Sequence, residues 1–337
     1  MWRHLLNLLR DARRPLVVLD FETAGLGGAP PVEFAVLVWS PWEEPQDDEE
    51  TRRVARLVPP GLTYAASMRL DPGQPIDPGA TAVHKITDAD VRGCQRYDDL
   101  ELRAFFQTYA SGEAGDTGCG PAVFCGHNAA EADVPWAQRW GYLPHVPLDV
   151  VDTMRIVRRL QKAQPFPLAH DLLTPVSAQD GEATLVYINC DGFGLDAYAS
   201  SLVGSHVALL GERPEESHGA MADACSTARV LCRLLDLWSP MWPPHRSDLP
   251  ASANLTALLA ALDAPPPGQV SWDGWLAESP TGGYTWRMGK FRGKPAHRDD
   301  YILKLPRSPT GDDATRWWCS QHTADILQGL RPAVGPR

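Results

Sequence analysis

The chain has 337 residues, is 44% hydrophobic and carries a formal net charge of −11. That is enough apolar material for one large domain or two unequal ones. The acidic balance argues against a generic basic nucleic-acid binder, though not against an enzyme that meets phosphates through metal ions and a local basic patch. No apolar run reaches membrane-spanning length, and Met1–Arg14 lacks the apolar stretch and cleavage site of a signal peptide. The seven cysteines are scattered without a Cys-x-x-Cys pair, so we expect reduced thiols in a cytoplasmic protein rather than disulfides or a zinc site.

Met1–Arg14 reads as a short amphipathic helix with a basic end at Arg10, Arg13 and Arg14. Leu16–Phe21 is a strand, Thr23–Pro31 a Gly- and Pro-rich turn, Val32–Trp39 a second strand and Tyr64–Leu70 a third. Pro41–Glu50, acidic and Pro-bearing, is expected to be an exposed loop, as is Pro72–Ala82. Thr87 is a candidate N-cap with Asp90 in the first turn that follows. Asp99–Ala110 has helical periodicity, carried by Leu100, Leu102, Phe105, Phe106 and Tyr109.

Ala122–Cys125 is a short buried strand leading into Gly126-His127-Asn128-Ala129-Ala130-Glu131-Ala132-Asp133 and a helix. Val146–Val151 is a further strand, and the helix after it carries Arg155, Arg158, Arg159 and Lys162 on one face. That face is equally a solvated surface or a phosphate contact. Leu185–Asn189 is a candidate extra strand, Leu195–Val203 a helix, and Glu216–Ala224 runs into a helix ending near Leu237. The domain boundaries follow from composition: residues 1–238 as the main domain, 239–269 as a Pro-rich linker enclosing a helix at Leu255–Leu262, and 270–337 as a small α+β accessory domain. The accessory segment is tryptophan-rich, with ten Lys and Arg against seven Asp and Glu.

Side chains two apart on a strand share a face, so Asp20 and Glu22 stand side by side at the end of an apolar run. Two adjacent carboxylates repel, and a divalent cation is the common reason to keep them. On its own, Asp-x-Glu is equally a strand ending in solvated acids, and His218-x4-Asp223 taken alone reads first as a helix-capping pair. The ordered set is more specific. Asp20-x-Glu22-Thr23, His127-Asn128 with Asp133, and His218-x4-Asp223 resemble the DnaQ-like (DEDDh) 3′–5′ exonuclease family of the ribonuclease H-like superfamily. Gly25-Leu26, Glu33, Pro72-Gly73, Val83-His84-Lys85-Ile86-Thr87 and Val151-Asp152-Thr153 resemble its minor landmarks, and the likeness spans roughly Pro15 to Leu237. Three features depart from the pattern: Ala24 stands where a second Thr is common, Ala132 replaces the usual aromatic of the middle motif, and one extra residue precedes Asp133, which leaves Glu131 as a rival for the third acid.

The resemblance implies a ribonuclease H-like α/β fold, a mixed sheet flanked by helices. It also implies two Mg²⁺ (or Mn²⁺) ions held by Asp20, Glu22, Asp133 and Asp223. Asp20, Glu22 and Asp223 would hold the ion carrying the nucleophilic water, Asp20 would bridge to the second ion with Asp133 contributing, and His218 would be the general base. Thr23, Leu26, Asn128 and His84 become candidate substrate contacts: Thr23 through its backbone at the 3′-hydroxyl, Leu26 as an apolar wedge, Asn128 at the substrate end. For His84 and His127, hydrogen bonding in the core is the simpler reading. The implied substrate is nucleic acid with a free 3′ end, DNA ahead of RNA, with a polymerase or repair partner and no membrane. An RNA-trimming enzyme of the same family and a catalytically weak binding subunit stay open. In the accessory segment, Lys290, Arg292 and Lys294 alternate with Gly and Phe, as a phosphate clamp or an ordinary surface would. Cys319-x-x-His322 is metal-like in spacing only.

Overall fold

The computed structural model describes residues 2–112, 119–162, 201–212, 214, 218–241, 255–263, 276–278 and 284–286. In chain order the elements are α1 (Trp2–Ala12), β1 (Leu16–Thr23), β2 (Pro31–Trp39), α2 (Glu49–Val54), β3 (Tyr64–Asp71), α3 (Pro78–His84) and α4 (Asp88–Val91). Then come β4 (Gln95–Arg96), α5 (Leu100–Ser111), β5 (Val123–Gly126), α6 (Asp133–Arg139), β6 (Val150–Asp152) and α7 (Thr153–Lys162). The last are α8 (Leu202–Leu210), α9 (Ala220–Met241), α10 (Leu255–Asp263), β7 (Leu276–Glu278) and β8 (Tyr284–Trp286).

β1 is interior because it has partners on both edges and helices on both faces. The sheet order is β4-β3-β2-β1-β5-β6. β1 runs antiparallel to β2, from Leu16 opposite Trp39 to Glu22 opposite Glu33, and parallel to β5. β2 and β3 are antiparallel, and β5 and β6 parallel. This is the mixed α/β sheet, ribonuclease H-like in its strand order, that the sequence implies.

Strand periodicity divides the two faces. Val17, Leu19 and Phe21 point to one side, into a core with Phe34, Val36, Phe106, Val134 and Trp140. Aromatic rings organise this layer: Phe106 stacks on Tyr142 at 4.9 Å, and Phe21 meets Trp140 edge-on at 5.2 Å. Each such pair adds about 1 kcal/mol beyond area burial. Leu16, Val18, Asp20 and Glu22 alternate onto the other face, where α9 packs against β1 and β2. α9 lies close because Ala220, Ala224 and Ala228, four apart, are fully buried and have almost no side chain to hold it off.

Several elements differ from expectation for local reasons. The Pro41–Glu50 segment contains the start of α2, capped by Asp48, whose carboxylate accepts the Thr51 N–H at 2.8 Å. The Pro72–Ala82 segment contains the start of α3, capped by Asp77 with Pro78 in the first turn. β6 is shorter than Val146–Val151 because it begins only at Val150, and Val146 is exposed. α8 begins at Leu202, and residues 195–200 of the expected Leu195–Val203 helix lie outside the described residues. Thr87 caps α4 in a capping box with Asp90, as read. The segment 185–189 and the motifs at 288–303 and 319–322 lie outside the described residues.

The chain divides into two compact units, Met1–Val157 with Pro165–Asp263, and Arg158–Gln164 with Ala264–Arg337. In the second, β7 and β8 form an antiparallel pair with Leu276 opposite Trp286. Among the described residues no helix is long and apolar enough to cross a membrane.

Candidate metal centre at the end of the central strand

The site is assembled where β1 leaves the sheet. Asp20 and Glu22 lie on the α9 face of β1, and α9 brings Asp223 in its first turn. One carboxylate oxygen from each of Asp20, Glu22 and Asp223 lies within 4.8 Å of the others. The donor set is entirely hard oxygen, with no thiolate or imidazole, which suits Mg²⁺ or Mn²⁺ rather than zinc.

The electrostatics fit a cation as well. Burial, then the fields of Asp133, Asp223, Glu22 and Glu33, raise the Asp20 carboxyl well above its ordinary range. Burial pushes Glu22 up to about 8, with Asp223, Glu33 and Asp133 adding to it. Asp223 rises to about 6 through burial, held back by the nearby His218 and by its backbone N–H. These carboxylates resist ionising together, and a divalent cation removes that resistance.

Asp133 opens α6 and is buried, with 6% of its surface exposed. Burial raises it to about 7; hydrogen bonds from its own amide and from Phe21 oppose the rise, and Asp152 adds to it. It stands beside Asp20 electrostatically but is not one of the three acids whose oxygens converge within 4.8 Å. Its rival Glu131 is engaged elsewhere, in an ion pair with Arg155 at 2.6 Å. Arg155 also meets Asp263 of α10 at 2.9 Å, so this member of the expected basic face is committed to protein carboxylates.

The loop before Asp133 is anchored from β6. Asp152 is almost fully buried and accepts the N–H groups of Asn128 and Ala130, each at 3.1 Å, and that of Arg155 at 3.2 Å. Asn128 has φ +76°, a left-handed conformation that Asn tolerates better than most residues. Gly126 is required by close approach, since a Cβ there would sit 2.6 Å from Ala129 Cβ and 3.2 Å from the Leu19 carbonyl. Thr153 donates its hydroxyl to Gly126 O at 3.2 Å, so His127 Nδ1, 2.8 Å from that hydroxyl, is the donor in their contact.

His84 holds the same end of β1, just past Glu22. Its Nδ1 accepts the Ile86 N–H at 3.0 Å, so Nε2 carries the proton and donates to Thr23 O at 3.2 Å. Burial lowers its pKa, and both ring nitrogens are engaged by backbone. Thr23 donates its hydroxyl to Gly25 O at 2.7 Å, which tightens the turn carrying Leu26. Leu26 is 98% exposed, yet its turn is braced from α6: Arg139 donates to Gly27 O at 2.6 Å, and Trp140, just past the helix, donates to Gly28 O at 3.2 Å. His218 is exposed, with φ +64°, just ahead of α9, and its N–H donates to Asp223 at 3.2 Å.

Asp152 and Glu33 were legible only as minor motif landmarks, and nothing in the sequence marked them as supports of the acids. The signal available for Asp152 was an acid at the end of a strand, as at Asp20 and Glu22, here directly before a helix.

The fold and site thus define a mixed-sheet α/β protein with an acidic cluster that could hold a divalent cation at the end of its central strand. No protein-family model matches the chain, and no curated protein matches it. Among solved structures it is similar to exonuclease X in complex with 5′ overhanging duplex DNA, with a TM-score of 0.33 and 18% identity over 68% of this chain and 96% of that one. It is also similar to Escherichia coli exonuclease I in complex with a dT13 oligonucleotide, with a TM-score of 0.43 and 15% identity over 72% of this chain and 46% of that one. A further exonuclease I structure gives a TM-score of 0.43 and 17% identity over 73% of this chain and 45% of that one. The chain therefore spans less than half the length of exonuclease I. Similarity this distant carries over no residue's role.

Proposed function

We propose that the protein is a Mg²⁺-dependent 3′–5′ exonuclease of the DnaQ-like type that releases nucleoside 5′-monophosphates from DNA in preference to RNA. The observation that carries this reading is the convergence of Asp20, Glu22 and Asp223 within 4.8 Å. Asp133 beside Asp20 and His218 beside Asp223 complete the five residues that the motif order implies.

Asp20, Glu22 and Asp223 would hold one ion, and Asp20 with Asp133 a second. Divalent cations bound there supply charge neutralisation on the attacking and leaving oxygens of a phosphodiester. The chain's own groups do the rest. His218, exposed at the mouth of the site, takes the proton of the attacking water as the new P–O bond forms and the P–O3′ bond breaks. The adjacent Asp223 stabilises the resulting imidazolium. Asn128 and the backbone of Thr23 bind the 3′-terminal nucleotide, and Leu26 offers an exposed apolar surface for its base. Residues 270–337 serve as an accessory domain that adds positive charge for the rest of the strand.

The test is a gel assay with end-labelled single-stranded DNA, duplex DNA and RNA, each with Mg²⁺ and with chelator. Metal-dependent shortening from the 3′ end, fastest on DNA, is the expected result. Faster shortening of RNA would move the protein to RNA trimming, and no cleavage of any polymer would leave a binding role.

A further inference from the structure

Glu33 lies on β2 directly across from Glu22 in the β1–β2 register. Like charges directly opposite are unfavourable on a sheet, so this pairing calls for a compensating interaction. The compensation comes from two sides. Glu33 Oε2 accepts the N–H of Ala220, the first residue of α9, at 2.9 Å. Glu33 Oε1 faces Arg69 of β3 at 3.6 Å, and Arg69 in turn reaches Asp90 of α4 at 3.7 Å.

The first turn of a helix has N–H groups without intrahelical partners, and a carboxylate there is favoured by both hydrogen bonding and the helix dipole. Caps normally come from the adjoining chain. Here the acceptor comes from a strand 187 residues earlier. It holds the turn that carries Asp223 against the strand that neighbours Glu22. The α9 stripe of buried alanines sets how close helix and sheet lie, but a smooth stripe does not fix position along the helix axis. The Glu33–Ala220 bond does.

We infer that Glu33 is a positioning residue: by capping α9 from β2 it fixes Asp223 opposite Asp20 and Glu22 and so assembles the cation site. The inference rests on those three acids forming that site, as in the proposed function. It assigns Glu33 a role as hydrogen-bond acceptor, distinct from that of a further ligand or a mere source of negative charge.

The test compares full-length Glu33→Gln and Glu33→Ala with wild type, by hydrogen–deuterium exchange on the metal-free protein and by calorimetric titration with Mn²⁺. Gln keeps a carbonyl acceptor and removes the charge; Ala removes both. Loss of a cap speaks for an effect on the order of tenfold. Glu33→Ala should speed exchange at the start of α9 and weaken Mn²⁺ binding by about that factor, while Glu33→Gln should stay within about threefold of wild type in exchange. Equal exchange in Gln and Ala variants, or wild-type exchange and Mn²⁺ affinity in Glu33→Ala, would overturn the inference. Should Glu33→Ala not fold, Glu33→Gln decides, because fast exchange at the start of α9 in a folded Gln variant has the same consequence. If the wild-type protein cleaves no nucleic acid, the exonuclease reading fails, and exchange and Mn²⁺ affinity still decide the role of Glu33.

Discussion

The strand that carries Asp20 and Glu22 and the loop that leads to Asp133 are held in different ways. Asp20 and Glu22 are placed by a strand with pairing on both edges, so the sheet's two-residue period alone puts them on one face. Asp133 follows a loop whose course depends on tertiary contacts, with Asp152 beneath its backbone and Arg155 holding Glu131 aside. The first arrangement is stiff because breaking it means breaking the sheet. The second can be loosened one hydrogen bond at a time.

The largest expected effect is on the strand side. Asp20→Asn removes the acid shared by both proposed ions and should lower cleavage by about a thousandfold or more in single-turnover assays, by analogy with loss of any unit-acting catalytic group. Activity within tenfold of wild type would dissolve the distinction at its stronger end. His218→Ala should cost about 10²- to 10⁴-fold in turnover, the usual range for a general base, while Mn²⁺ still raises the melting temperature. Loss of that metal response would make His218 part of the cation site instead.

On the loop side, Asp152→Asn keeps the shape but weakens the acceptor of three N–H groups, and supporting groups of this kind typically control about 10- to 100-fold in metal affinity or activity. An unchanged Mg²⁺ dependence would mean that the loop holds itself. Arg155→Lys should cost only a few-fold, since a part-buried ion pair is exchanged for a weaker one rather than left unpaired. An effect larger than that of Asp152→Asn would reverse the order of the two anchors.

pH separates metal-free from metal-bound protein. The carboxyls of Glu22, Asp133 and Asp223 lie above their ordinary values, near 8, 7 and 6, so the folded metal-free state binds protons that the unfolded chain has released. Stability is then full near the unfolded pKa values of about 4 and falls as pH rises toward 8. The melting temperature in chelator should therefore drop between pH 5 and pH 8, and the gain on adding Mn²⁺ should grow over the same range. A flat profile in chelator would mean that the acids are not crowded. The smallest effect is expected from deleting Val270–Arg337, which should raise KM for long strands and leave dinucleotide cleavage unchanged.

The strand-borne part of the site was legible in the sequence because it depends on local period: apolar Leu16–Leu19 followed by Asp20 and Glu22 fixes strand, face and adjacency at once. Thr87 with Asp90 was readable for the same reason, the capping box being a four-residue signal. What escaped were contacts between segments distant in sequence. The choice between Asp133 and Glu131 depends on Arg155, which no local rule ties to either. The Glu33 cap on α9 joins residues 187 apart. α2 and α3 were missed although Asp48 and Asp77-Pro78 are recognisable starts, because Pro and acid content outweighed the caps.

The late position of α9 in the chain has a consequence for how the protein is made. During synthesis β1 emerges early with two of the acids, whereas the helix that supplies Asp223 and the preceding His218 follows only after most of the main sheet has been built. The three-carboxylate cluster therefore cannot form until Asp223 has been made, and contacts of such long sequence separation are slow to close. Premature termination or clipping ahead of Ala220 removes Asp223, so the fragment cannot bring three carboxylates together. A copy that ends there carries Asp20 and Glu22 without the third carboxylate of the candidate cation site.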